Sequence, residues 1–204
     1  MLNILAMPLG AYQTNTYIVH DAASRECVII DPGYEPEKIL AKLAALGLKP
    51  AAILLTHGHF DHVGAVEHIV ETTGCALWMS ESDWSQPNAP IYNYLYPLSN
   101  CDFAAVNFCG DQEVIHAAGL DFVTYATPGH TQGSVCYLCG DALFSGDTLF
   151  AGSCGRTDLP GGNWETILRS LRRLSELETN CRIFPGHGES TTLAEEKRYN
   201  PYLK

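Results

Sequence analysis

The sequence predicts a mixed α/β chain, two sheets with helices outside them. Three observations predict it: hairpin-like β runs at the start, apolar runs alternating with helical spacing in the middle, and renewed strand signals before the last helices. LNILAM, NTYIVHD and CVIID are the opening β-like runs, and Asp31-Pro32-Gly33 turns the chain after them. A helix is predicted next, with Pro36 in its first turn, Ile39, Leu40, Leu43 and Leu46 on one face, and Gly47 as its stop. AAILLT is a continuous apolar run bounded by turn signals, a buried strand that leads directly into THGHFDH. A second helix carries Val63, Val66, Ile69 and Val70 at helical spacing and ends at Gly74. LDFVTYAT, SVCYLC and ALFSG read as strands. Asn163 caps a third helix whose apolar face is Trp164, Ile167, Leu168, Leu171 and Leu174. RIFP is one more strand, and a short polar helix from Leu193 to Arg198 follows.

Composition bounds the classes of function. The 204 residues fit one sizeable domain or two small ones; the expectation is one domain over 1–204, and 46% hydrophobic with 17% charged residues is enough for a real core. No apolar run approaches the roughly 18–20 residues of a membrane helix. MLNILAMPLGAY lacks the basic start and apolar stretch of a signal peptide, so the expected location is cytoplasmic, with no membrane partner. The eight cysteines are scattered and read as reduced thiols. Cys136 and Cys139 form a CxxC, but within a strand positions i and i+3 face opposite sides. A net charge of −11 with dispersed basic residues argues against nucleic acid. A small anionic substrate remains compatible, because bound cations invert the local field.

Five of the eight histidines sit in three short glycine-containing loops: THGHFDH, TPGHTQGS with His130, and FPGHGES with His187. A fourth loop, SGDTLF, presents Asp147. Each follows a β-like run, where a rigid scaffold aims ligands well. His57 and His59 point the same way in extended geometry, while Asp61 and His62 stand at the start of the next helix. One ion can take His57, His59 and His130; a second can take Asp61, His62 and His187; Asp147 can bridge them. A purely structural zinc site is closed, four-coordinate and usually cysteine-rich, and seven ligands without a thiolate exceed it. His20, His68 and His116 read as surface or satisfied residues.

Those four loops, in that order, resemble the metallo-β-lactamase superfamily over almost the whole chain. The resemblance implies an αββα sandwich with a dinuclear site at one edge. Within the superfamily the chain is most similar to the short glyoxalase II-like hydrolases. That implies two divalent ions per chain, zinc first with iron or manganese as alternatives, and a small acyl thioester as substrate, S-lactoylglutathione among them. A metal-bound hydroxide would attack the acyl carbon, with Asp61 and Asp147 as catalytic residues. A thiolate departs without strong acid help, which suits a site that has metals and no evident nucleophile. Ser153 and Cys154 lie in the next loop, AGSCGRTD, without an apparent base.

The departures are informative. The flavodiiron branch has Glu where this chain has His59, and zinc β-lactamases have no aspartate like Asp147. Full-length glyoxalase II enzymes carry a C-terminal helical domain that binds glutathione, whereas this chain ends seventeen residues after His187. Arg156 occupies the place of their loop lysine; Asp158 and Glu189 replace two tyrosines. Arg156 can bind a substrate carboxylate or pair with Asp158. In PNAPIYNYLYPL, tyrosines 92, 94 and 96 read as packing residues or as a wall beside the site. Persulfide dioxygenases share the fold and a loop similar to SCGRTDL; they use one iron at the positions of His57, His130 and Asp147, which makes an oxidoreductase the rival reading.

Overall fold

The computed structural model describes residues 1–84 and 106–203. The tyrosine-rich segment 87–104 lies outside the described residues. The first sheet runs β1 (Leu2–Leu9), β2 (Thr14–Asp21), β3 (Glu26–Ile30), β4 (Lys49–Leu54), β5 (Ala76–Met79) and β6 (Val106–Phe108), in that spatial order. β1, β2 and β3 pair antiparallel, and from β3 onward the pairing is parallel. Parallel neighbours need crossovers, which α1 (Pro36–Leu46) and the pair α2 (Phe60–Val63) and α3 (Val66–Thr73) supply; α4 (Glu81–Trp84) follows β5. The second sheet contains β7 (Val114–Ala117), β8 (Leu120–Ala126), β9 (Val135–Cys139), β10 (Ala142–Gly146), β13 (Arg182–Pro185) and β14 (Thr191–Thr192). The small hairpin β11 (Leu149–Phe150) and β12 (Ser153–Cys154) and α5 (Trp164–Ser175) join β10 to its parallel neighbour β13, and α6 (Leu193–Tyr199) follows β14. No helix among the described residues is long and apolar enough to cross a membrane.

The period-2 pattern of the strands sorts the core into three layers. Tyr17, Val19, Val28, Ile30 and Leu54 meet Ile115, Phe122, Tyr137 and Phe144 between the sheets. The alternate residues Ile18, Ile29 and Ile53 face Ile39, Leu43, Val66 and Ile69 of the helices on the first sheet. On the second sheet Cys136, Leu143 and Ile183 pack on Ile167, Leu171 and Leu174 of α5. The result is the expected αββα sandwich. Truncating a fully buried residue of these layers, such as Ile53, costs about 2–5 kcal/mol. Cys136 and Cys139 fall in different layers, as strand geometry requires, and the seven described cysteines are free thiols.

Some local readings change. The helix expected from Val63 to Gly74 is two pieces, broken at Gly64 and Ala65. A Cβ on Gly64 would lie 2.5 Å from the Gly33 carbonyl oxygen, and the Ala65 amide donates to the Pro32 carbonyl at 3.0 Å. The Asp31-Pro32-Gly33 turn thus packs into the junction. Leu46 and Trp164 have helical spacing but are exposed. Asn163 does cap α5, accepting from the Thr166 amide at 2.9 Å.

Candidate metal centre

Four strand ends meet at one edge of the sandwich: β4 leads to Thr56–His62, β8 to His130, β10 to Asp147 and β13 to His187. Hydrogen bonds tie the edge across the sheets. The Asn15 amide donates to the Gly186 carbonyl at 2.7 Å, the Tyr17 hydroxyl to the Pro185 carbonyl at 2.6 Å, and the Val135 amide to the Thr56 carbonyl at 2.8 Å. Gly186 is required by space: a Cβ there would sit 2.6 Å from His62 Cε1 and closer still to Asp147 Oδ1.

The seven residues singled out from the sequence converge here. Donor atoms of His57, His59 and His130 lie within 4.8 Å of one another, and so do those of Asp61, His62 and His187. Asp147 lies between the two trios. Its Oδ2 is 3.4 Å from His130 Nε2 and 3.6 Å from His187 Nε2, and its Oδ1 is 3.4 Å from His62 Nε2. Ligands about 2.1 Å from a tetrahedral ion stand about 3.4 Å from one another, so these spacings suit a shared cation.

The outer nitrogens fix the rings. His130 Nδ1 donates to the Arg156 carbonyl at 2.7 Å, and His187 Nδ1 to the Tyr12 carbonyl at 3.2 Å. A carbonyl only accepts, so both Nδ1 atoms carry the proton and both Nε2 lone pairs face inward. His62 Nδ1 donates to Asp31 Oδ2 at 2.9 Å. Thr56 Oγ1 donates to the same carboxylate at 2.6 Å, leaving its oxygen to accept from His57 Nδ1 at 3.1 Å. His59 differs: its Nδ1 faces His57 Nε2 at 3.1 Å, and its Nε2 is buried with no partner among the described residues.

Inward ring nitrogens and carboxylate oxygens crowded in this way need something positive between them, a proton or a cation. His62 Nε2 and His187 Nε2 are 3.4 Å apart, and His130 Nε2 and Asp147 Oδ1 are buried without a hydrogen bond. Burial pushes His57 well below its ordinary value and His59 down to about 3, and neighbouring imidazoles add to both. Burial would lower His62 too, but Asp147 and Asp31 raise it to about 9. Burial pushes the Asp61 carboxyl up; the His187 hydrogen bond and the charges of His62 and His187 outweigh this and hold it below the usual range. Among the described residues no lysine or arginine stands within ion-pair distance of Asp31, Asp61, Asp83 or Asp147. The set therefore fits divalent cations, hard enough for carboxylate and borderline enough for imidazole.

Two residues that matter here carried no sequence signal. In the sequence Asp31 reads as part of a turn. It is 1% exposed, has φ +49°, and also accepts from the Thr56 amide at 2.8 Å. A lone aspartate after an apolar run has no spacing to betray it. Asp83, on the short α4, was not singled out either; it is buried and bonded to the loops of His57 and His130. His68 and His116 are exposed and His20 half-buried, and none of the three joins the cluster.

A cleft of about 350 Å³ opens beside the centre, lined by Tyr12, Phe60, Phe150, Leu159, Ser153, Cys154 and Arg156 with His59, Asp61, His130, Asp147 and His187. The Tyr12 and Phe60 rings meet edge to face at 5.3 Å. Burial raises the Cys154 thiol, so it is no ready thiolate. Arg156 is held by Asp158 through two bonds, of 2.7 and 2.6 Å.

The profile of the Metallo-beta-lactamase superfamily matches residues 9–187. The chain is 36% identical over 209 residues to "Hydroxyacylglutathione hydrolase GloC" of Haemophilus influenzae, covering 99% of this chain and 98% of that one. Among solved structures, the BLEG-1 B3 metallo-beta-lactamase superposes with a TM-score of 0.87 at 34% identity, covering 100% of both chains. TTHA1623 in a di-iron-bound form gives 0.82 at 38% identity, covering 98% of this chain and 100% of that one. With its four-layer sandwich and its histidine and aspartate donors at one edge, the chain belongs to the metallo-beta-lactamase superfamily, as a metal-dependent hydrolase.

Proposed function

We propose that the chain is a dinuclear hydrolase of small acyl thioesters. His57, His59 and His130 would hold one ion and Asp61, His62 and His187 the other, with Asp147 placed to serve both. The observation that carries this reading is the placement of Asp147, with one oxygen toward His62 and the other between His130 and His187. Divalent ions held there would lower the pKa of a bound water toward neutrality and polarise an acyl carbonyl. Zinc is the first expectation, with iron or manganese as alternatives; the di-iron form of TTHA1623 supports an ion choice set by supply.

The chain's own residues do the rest. Asp61 Oδ2, 3.3 Å from His187 Nε2 and facing the cleft, orients the attacking water. The water gives up a proton to solvent and adds to the acyl carbon, the C–S bond breaks, and the thiolate leaves with the electron pair, so no side chain must serve as strong acid. Tyr12, Phe60, Phe150 and Leu159 offer apolar cover to the acyl or thiol carbons. Arg156 is paired with Asp158 through two of its five N–H donors, so a carboxylate on the thiol moiety would compete with Asp158 for it. The name of the Haemophilus relative makes hydroxyacyl glutathione thioesters the first class to test.

The likeness to a B3 lactamase over the full chain favours β-lactams as the second reading. The test measures cleavage of S-lactoylglutathione, β-lactam opening, and oxygen uptake with glutathione persulfide, using zinc-, iron- and manganese-loaded protein. Thioester cleavage with a high KM is expected. β-Lactam opening with no thioester cleavage would favour the lactamase reading. Oxygen uptake with iron and no thioester cleavage with any metal would replace hydrolysis with dioxygenase chemistry at a single iron.

A further inference from the structure

Asp83 is not one of the seven donors, yet its carboxylate joins two of the loops that carry them. Oδ2 accepts from the Gly58 amide at 2.9 Å and from the Thr131 hydroxyl at 2.8 Å; Oδ1 accepts from the Gly133 amide at 2.8 Å. Gly58 lies between His57 and His59, and Thr131 follows His130. Asp83 is 4% exposed, and a side chain on Gly133 would run into its carboxylate. It forms no ion pair with a described lysine or arginine.

We propose that Asp83 is the positioning residue of the His57, His59 and His130 half of the centre. It sets the distance between their loops, so that three nitrogens meet one ion. The inference rests on the ligand assignment proposed above. Its geometry is specific to an acceptor at both oxygens. Either rotamer of an asparagine here would aim an amide N–H at a backbone N–H, at Gly58 or at Gly133. Asp31 stands in the corresponding place for His62, but it touches a ring nitrogen directly, whereas Asp83 acts only through loop backbone and a hydroxyl.

The experiment compares Asp83→Asn and the milder Thr131→Val, which removes one of the three bonds. Zinc affinity is measured by chelator competition and the ligand field by the cobalt(II) spectrum. Each substitution is made in the wild type, in His59→Ala and in His187→Ala. Removal of a group that orients a ligand costs about 10- to 100-fold in metal affinity. That loss is expected in the His187→Ala background, where the remaining ion sits in the half Asp83 serves. Thr131→Val should show a smaller loss of the same kind, with a changed cobalt spectrum. In the His59→Ala background the remaining ion should bind within about threefold of its affinity without the Asp83 change. Equal losses in both backgrounds, with a lowered unfolding midpoint of the metal-free protein, would make Asp83 a general clamp of the fold and overturn the proposal. No loss in the His187→Ala background would overturn it too. If Asp83→Asn does not fold, Thr131→Val decides alone by the same pattern. Two zinc ions retained by both histidine variants would instead bring down the ligand assignment, and the role of Asp83 with it.

Discussion

His57, His59 and His130 form one trio, and Asp61, His62 and His187 the other, but they are built to different ends. The first is all nitrogen, with residue exposures of 2%, 3% and 2%. The second contains a carboxylate, and its His187 side chain is 29% exposed at the cleft. The first sits on loops that Asp83 ties together, with His130 aimed by the Arg156 carbonyl and His57 reached by Asp31 only through the Thr56 hydroxyl. The second is aimed by the Asp31 carboxylate and by a carbonyl in the β1–β2 turn. A closed, neutral trio suits a tightly held ion. An open, anionic one suits an ion that exchanges and meets substrate.

The variant expected to do most is the one that removes the distinction. Asp147→Ala should weaken both ions and lower turnover by about a thousandfold, the scale of several kcal/mol of charge stabilisation. A folded variant by circular dichroism that keeps two tightly bound ions would deny Asp147 its bridging place. Gly186→Ala comes next. Its methyl would press on Asp147 and His62, so loss of one ion is expected, with destabilisation of about 1–3 kcal/mol read from urea unfolding. Asp31→Asn should act first on the second trio, through His62, and less on His57, which Asp31 reaches only through Thr56: about 10- to 100-fold weaker binding of the second trio's ion by chelator competition, and about 1–3 kcal/mol of stability lost in the metal-free protein. A loss confined to the first trio's ion would reverse the comparison. Smaller still, Arg156→Ala should raise the KM for glutathione thioesters severalfold at constant kcat, and Arg156→Lys should recover only part, because the fork is lost. His68→Ala, on the exposed face of α3, should leave activity unchanged and stability within about 0.5 kcal/mol.

What could be read from the sequence was whatever local spacing encodes. The strands before each loop, the Gly47 stop and the Asn163 cap follow from neighbours in the chain. So do the seven donors, since each sits in a short loop at a strand end. Contacts between distant segments decided the rest. Gly64 breaks a regular helical pattern because Gly33 comes close to it, and nothing near Gly64 announces this. Trp164 keeps helical spacing but is the first residue of α5, exposed and edge-on to Tyr202 rather than in the core. β5, β6 and the two-residue strands are too short for a periodic signal. Asp31 and Asp83 are single acids whose partners lie 25 or more residues away.

Two carbonyls in the centre have a further consequence. Tyr12 and Arg156 each offer a backbone oxygen to a metal-facing histidine and a side chain to the cleft. Substitution changes a side chain and leaves the carbonyl where it was. These positions can therefore be rewritten for a different cleft occupant while the rings of His187 and His130 keep their aim. Substrate preference and metal geometry are written on different atoms of the same residues, which allows the scaffold to acquire new substrates one substitution at a time without first losing its ions.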